Sequence, residues 1–122
     1  MIVRRAQAED HPRVLAVAEQ WWGGRPVSGL AKRLFFDHFA GTSLVAEDEA
    51  GLAAFLVGFL SQARPDEAYI HMVGVRPDRR GSGLARDLYE RFFDLARGHR
   101  RGVVTCITSP INRGSIAFHT AM

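Results

Sequence analysis

Cysteine is almost absent from this chain. The single residue, Cys106, excludes a disulfide framework and any zinc site built from several thiolates, and no metal is expected. Lysine is equally scarce: Lys32 stands alone among sixteen basic residues, and arginine supplies the other fifteen. No apolar run approaches the ~20 residues of a membrane span. The opening MIVRRAQAED has no apolar signal core, so a cytoplasmic location is the expectation. Repeats, low-complexity tracts and linkers are missing too. What remains is 122 residues, 47% hydrophobic, 10% aromatic and 24% charged, a balance that argues against disorder and coiled coil. A chain this long buries roughly two-thirds of its unfolded surface, enough for a core without covalent staples. One domain over residues 1–122 is therefore expected.

The net charge is +3, and eight of the arginines fall between Arg76 and Arg101. Such a cluster points to an anionic ligand, a nucleic acid or a phosphate. A solvated surface in an arginine-rich chain accounts for it equally well.

The chain opens with a short strand, Ile2 to Arg5. Asp10 is placed to cap a helix whose Val14, Leu15, Val17, Ala18, Trp21 and Trp22 recur at helical spacing. Gly23-Gly24-Arg25-Pro26 breaks it. A second helix is expected from near Ser28 to near Gly41, with Leu30, Leu34, Phe35 and Phe39 on one side. Strands follow at Ser43 to Glu47 and Ala53 to Leu60, joined by a turn at Asp48-Glu49-Ala50-Gly51. A third runs from Glu67 to Val75. The loop Pro77-Asp78-Arg79-Arg80-Gly81-Ser82-Gly83 leads into a helix with Leu84, Leu88, Phe92, Leu95 and Ala96 on its apolar face. That helix carries an Asp87–Arg91 pair and a stop at Gly98. Val103 to Ile107 reads as a buried strand, and Asn112 as the cap of a last helix. The order β-α-α-β-β-β-α-β-α predicts an α/β (α+β) fold, a mixed sheet with helices packed on it. The pattern at Met122 is still helical and carries no cap signal, which reads as an interrupted domain.

A strand, a glycine loop and a helix start together suit phosphate. First-turn N–H groups lack internal partners, the helix dipole is positive there, and glycine lets main chain approach an anion. The loop is not a Walker P-loop, because no Gly-Lys pair exists. It is a poor dinucleotide fingerprint: Gly81 and Gly83 fit, but the third position is Arg86. An anion cradle and an ordinary turn both remain.

Arg80-x-x-Gly83-x-Ala85 matches the [QR]-x-x-G-x-[GA] signature of the GNAT superfamily of acyl-CoA-dependent N-acetyltransferases. Val75-Arg76-Pro77-Asp78 resembles that family's strand end. Asn112-Arg113-Gly114-Ser115-Ile116-Ala117-Phe118-His119 resembles its N-x-x-[AS]-x-x-F-[YH] helix, and Val3-Arg4-Arg5-Ala6 with Glu9-Asp10 its beginning. The motifs span the chain in order.

The resemblance implies a mostly antiparallel sheet flanked by helices, with two C-terminal strands of the family missing after residue 122. It implies acetyl-CoA as cosubstrate and a small amine or a protein amine as acceptor. The pantetheine arm would lie along the main chain of Val73 and Val75. The pyrophosphate would rest on the amides of Gly81, Ser82, Gly83, Leu84 and Ala85, with Arg80 and Arg86 nearby and Asn112 touching the cofactor. The amine would attack the thioester directly, with the Val73 N–H serving the oxyanion. His119, where many members carry tyrosine, would protonate the leaving thiolate.

For the base, Glu67 and His71 are candidates on the strand that enters the loop. Regular alternation puts Tyr69, His71, Val73 and Val75 on one face. Trp21, Trp22, Phe35 and Phe36 either line an acceptor pocket or fill the core. Cys106, in an apolar run, reads as filler rather than nucleophile. A CoA-binding domain without catalysis and a basic nucleic-acid module are the competing functions, and neither nucleic acid nor membrane is expected as a partner. Without further strands, the edge at Val103 to Ile107 is open to a second copy, giving a homodimer.

Overall fold

A computed structural model describes residues 1–24 and 28–106. In chain order the elements are β1 (Ile2–Arg5), α1 (His11–Trp21), α2 (Arg33–His38), β2 (Leu44–Asp48), β3 (Gly51–Leu60), β4 (Glu67–Val75), α3 (Leu84–Gly98) and β5 (Val103–Thr105). Short 3-10 turns fill Ala8–Asp10, Ser28–Leu30, Ala40–Thr42 and Pro77–Arg79. The five strands form one sheet in sequence order. β1 to β4 are antiparallel neighbours and β5 lies parallel to β4, the mixed and mostly antiparallel arrangement expected. The helix expected at Asn112 lies outside the described residues.

Periodicity decides the layers. In α1, Val14, Ala18 and Trp21 are buried, at i, i+4 and i+7. They join Phe36 of α2 against Val45, Phe55, Val57 and Met72 on one face of the sheet. On the other face Leu84, Leu88, Tyr89, Phe92 and Ala96 of α3 cover Leu44, Ala54, Leu56, Ala68 and Ile70. β3, sandwiched between both layers, is a nearly continuous apolar run for that reason.

Three expectations need correction. α2 has six residues rather than spanning Ser28 to Gly41. The Ser43 hydroxyl donates to the Phe39 carbonyl (2.9 Å), and the Thr42 hydroxyl, 3.1 Å from the same oxygen, lies closer to the Gly58 carbonyl (2.6 Å); both offer the chain an alternative to helix. The buried residue of α2 is Phe36, while Leu30 and Leu34 are exposed. Asp10 does not cap α1 through its side chain. Its carboxylate instead accepts from the Gln7 N–H (2.8 Å) and from Arg4 and Arg13. β5 ends at Thr105, and Val103 is exposed rather than buried, because the sheet ends there among the described residues.

Candidate functional site

β4 carries an irregularity that no composition rule announces. Val57 pairs with Met72 but Gly58 pairs with Ile70, so His71 is an extra residue, a β-bulge. Before it, Ala68 and Ile70 face α3, and the Tyr69 ring stacks on Phe59 across the opposite face, 5.2 Å away. After it the alternation is reversed: Val73 and Val75 pack on the α3 side and Met72 joins the α1–α2 side. The expectation that Tyr69, His71, Val73 and Val75 share a face is therefore wrong. One inserted residue turns over everything beyond it. Tyr69 and His71 look towards α2, Val73 and Val75 towards α3.

The same strand parts from its neighbour. Among the described residues β5 pairs with β4 only at Glu67, Ala68 and Tyr69. On the other side the Arg76 N–H donates to the Ala53 carbonyl at 2.8 Å, which continues the β3–β4 ladder. Bonded pairs alternate in an antiparallel ladder, so the peptide groups of Val73 and Val75 point away from β3. They point to the side on which the described β5 pairing has ended.

The loop then turns through two left-handed glycines. Gly81 has φ +79° and Gly83 φ +86°, values that other residues rarely adopt. A Cβ at either position would meet nothing within 4 Å, so open space lies before them. Gly83 precedes α3 with no side-chain cap. The i→i−4 ladder opens with the Asp87 N–H on the Gly83 carbonyl (3.0 Å). The N–H groups of Leu84, Ala85 and Arg86 thus sit in an uncapped first turn at the positive end of the helix dipole. The Ser82 N–H and hydroxyl are both engaged by the Arg79 carbonyl.

Most arginines of the cluster have protein partners. Arg76 and Arg79 converge on Asp48, whose side chain is 2% exposed. Hydrogen bonds from Arg76 above all, aided by Arg79 and the Ala50 N–H and opposed by burial, hold the Asp48 carboxyl far below the usual carboxylate range. Arg80 folds back to donate to the carbonyls of Val75 (3.2 Å) and Trp21. Arg86 pairs with Glu90 (3.2 Å) and Arg91 with Asp87 (3.0 Å) along α3. Arg80 and Arg86, expected beside a phosphate, are thus engaged elsewhere.

On the α2 side, His71 stacks on Phe35 with ring centres 4.3 Å apart, and its Nε2 lies 2.6 Å from the Leu30 carbonyl. Phe39, Phe59 and Tyr69 extend this aromatic group. Trp21 and Phe36 are core residues; Trp22 and Phe35 flank the core and are partly buried. Glu67, the other base candidate, opens β4 and pairs with Arg64 at 3.4 Å. It is eight residues, roughly 26 Å of strand, from Val75. Cys106 packs partly buried against the α3 cluster, and burial pushes its thiol up. Asn112 and His119 lie outside the described residues. Sequence reasoning missed Asp48 and the His71–Phe35 stack, since both are contacts between segments far apart in the chain.

Residues 5–122 match the acetyltransferase (GNAT) family. The chain belongs to that family. Over 121 residues this GNAT chain is 32% identical to the L-2,4-diaminobutyric acid acetyltransferase of Nocardia farcinica, covering 99% of itself and 63% of that protein. Over 90 residues it is 39% identical to the enzyme of that name from Chromohalobacter salexigens, covering 72% of itself and 46% of the relative. The chain therefore spans about half to somewhat under two-thirds of the length of these relatives. Its fold superposes on diaminobutyrate acetyltransferase EctA from Paenibacillus lautus, solved with its substrate L-2,4-diaminobutyric acid and coenzyme A. The TM-score is 0.81 at 24% identity, over 98% of this chain and 72% of the other. No helix among the described residues is long and apolar enough to cross a membrane.

Proposed function

We propose that this chain binds acetyl-CoA at the β4–α3 junction and acts as an N-acetyltransferase on the primary amine of a small diamino acid, with L-2,4-diaminobutyrate the first candidate. One observation carries the reading. Two left-handed glycines facing open space lead into an uncapped helix start, and they follow the strand end at which the peptide groups of Val73 and Val75 turn outward. A diphosphate suits that turn, because spare N–H groups and the helix dipole coincide there. The amides of Gly81, Gly83, Leu84 and Ala85 would hold it, with Ser82 contributing less. The pantetheine arm would run along Val73. The Val75 carbonyl already accepts from Arg80.

Bound acetyl-CoA supplies a thioester acetyl group open to direct attack by a neutral amine. The Val73 N–H is the donor for the developing oxyanion. His71 is the stronger base candidate. Its Nε2 faces a carbonyl oxygen and so carries the proton, which leaves the lone pair on Nδ1. Glu67 is the weaker one, being tied to Arg64 near the far end of the strand. His119 keeps the proposed role of acid for the thiolate, and Asn112 that of a cofactor contact. The aromatic group around Phe35 and Phe59 forms the acceptor side, and the names of the relatives supply the acceptor class. A cytosolic location belongs to the same proposal.

Calorimetric titration with acetyl-CoA tests the donor half; saturable one-to-one binding is expected, and no heat at millimolar coenzyme would refute it. Release of free thiol with L-2,4-diaminobutyrate, set against a panel of monoamines and peptides, tests the acceptor half. A preference for a peptide N-terminus would overturn the diamino-acid assignment.

A further inference from the structure

Asp48 closes β2 and belongs to the β2–β3 hairpin, not to the loop that follows β4. Yet its carboxylate organises that loop. Oδ2 accepts from Arg76 Nη2 (2.5 Å) and from Arg79 Nε (3.0 Å) and Nη2 (2.7 Å). Oδ1 accepts from Arg76 Nη1 (3.1 Å) and from the Ala50 N–H (2.9 Å), which also fixes the hairpin turn. Arg76 is the first residue after β4, and Arg79 ends the 3-10 turn just before Arg80 and Gly81. The two guanidinium groups that bracket the entry to the glycine loop therefore share one nearly buried acid on another hairpin; Arg76 donates as well to Asp78 Oδ1 (2.6 Å) and the Leu52 carbonyl (3.2 Å), whereas Arg79 is held by Asp48. Charge-assisted, forked bonds fix direction as well as distance. The main chain they fix is the segment that delivers the amides of Gly81 and Gly83.

We infer that Asp48 is a positioning residue of the donor site: through Arg76 and Arg79 it sets the glycine loop in the conformation that aims its amides at a diphosphate. The loop's order without ligand is independent of the proposed function; the effect on coenzyme rests on it. Arg76 and Arg79 serve the loop's geometry here and do not grip the anion themselves.

Two variants and two readouts decide this. Asp48→Asn keeps the shape and removes the charge; Arg79→Gln cuts one of the two ties at a half-exposed position and stands in should the first variant not fold. Affinity is measured for CoA and for pantetheine, which shares the arm but lacks the diphosphate. Amide hydrogen exchange at residues 81–85 is measured without ligand. Asp48→Asn is expected to weaken CoA by about tenfold, since small misplacements of binding groups are costly. Pantetheine should change less than about twofold, and exchange at residues 81–85 should accelerate by about tenfold. Arg79→Gln should move both in the same direction by less. Equal losses for both ligands with unchanged exchange would overturn the inference and leave Asp48 a general stabiliser. Tighter CoA binding with a steeper salt dependence would also overturn it, because the freed arginines would then be the anion contacts. If the unaltered protein binds neither ligand, the coenzyme reading falls, and the exchange measurement still decides whether Asp48 orders the loop.

Discussion

Phe92 of α3 lies against Gly58 of β3 where a side chain is missing. A Cβ at residue 58 would stand 2.4 Å from Phe92 Cε1 and 3.0 Å from the Tyr69 carbonyl oxygen. The helix that carries the glycine loop at its start is seated on the sheet through this contact. Gly58→Ala is expected to lower stability by about 1–3 kcal/mol through overpacking. Urea denaturation should show a lower midpoint at unchanged slope. An unchanged midpoint would mean that Phe92 has room to move.

The glycine loop predicts a different pattern. At Gly83 the obstacle to a side chain is the positive φ, not a neighbour. Gly83→Ala should therefore destabilise the fold by only about 1–2 kcal/mol. Coenzyme affinity should fall more than stability, because a Cβ would stand in the space before the amides. Thermal melts and calorimetry on the same sample separate the two. A loss of stability without loss of affinity would count against the cradle.

Much of this site was legible in the residues. β4 has the bounds expected, Glu67 to Val75, because a proline-containing break precedes it and a proline follows it. α3 carries its Asp87–Arg91 pair, since i,i+4 spacing is a local rule, and it ends at Gly98 as expected, although the left-handed residue that closes the helix is Arg100 (φ +60°) and not the glycine. The bulge at His71 was not legible. It is fixed by pairing with a strand more than ten residues away, and alternation alone gives the wrong face for Val73 and Val75. The arginine cluster suggested an anion surface. Tertiary partners such as Asp48 and the Trp21 carbonyl hold Arg76, Arg79 and Arg80, and nothing in the spacing of these arginines names them. α2 was overestimated because hydroxyl competition at Thr42 and Ser43 depends on how the chain turns into β2.

Acid should unfold the protein through a second cluster. Burial pushes the Asp10 carboxyl up, but hydrogen bonds from Arg4 and the Gln7 N–H, with the charges of Arg4 and Arg13, leave it below its usual 3.8. Hydrogen bonds from Arg4 and Arg13 hold Glu47 below 4.5. Both acids bind protons less readily folded than unfolded. Their contribution is thus complete above the unfolded values and is lost as pH falls towards the folded ones. The thermal midpoint should be flat from pH 7 to about 5 and decline below about pH 4.5. Asp10→Asn should be less stable at neutral pH and show a shallower acid slope. An equal slope in both proteins would remove Asp10 from the account.

His71 separates base chemistry from packing. His71→Phe preserves an aromatic ring against Phe35 and removes both ring nitrogens, the Nε2 contact with the Leu30 carbonyl included. It should leave coenzyme affinity intact, lower stability by no more than about 1 kcal/mol and reduce kcat by about 100-fold. A variant with unchanged kcat would return the base to Glu67 or to water.

In the proposed donor site, main-chain N–H groups at the start of α3 hold the diphosphate of coenzyme A. Backbone amide shifts followed by NMR during a CoA titration test it most directly. Saturable shifts are expected at Gly81, Gly83, Leu84 and Ala85 and at Val73, with the α3 C-terminal half unmoved. Saturation with those five amides unmoved, or no saturation at millimolar CoA, would contradict it.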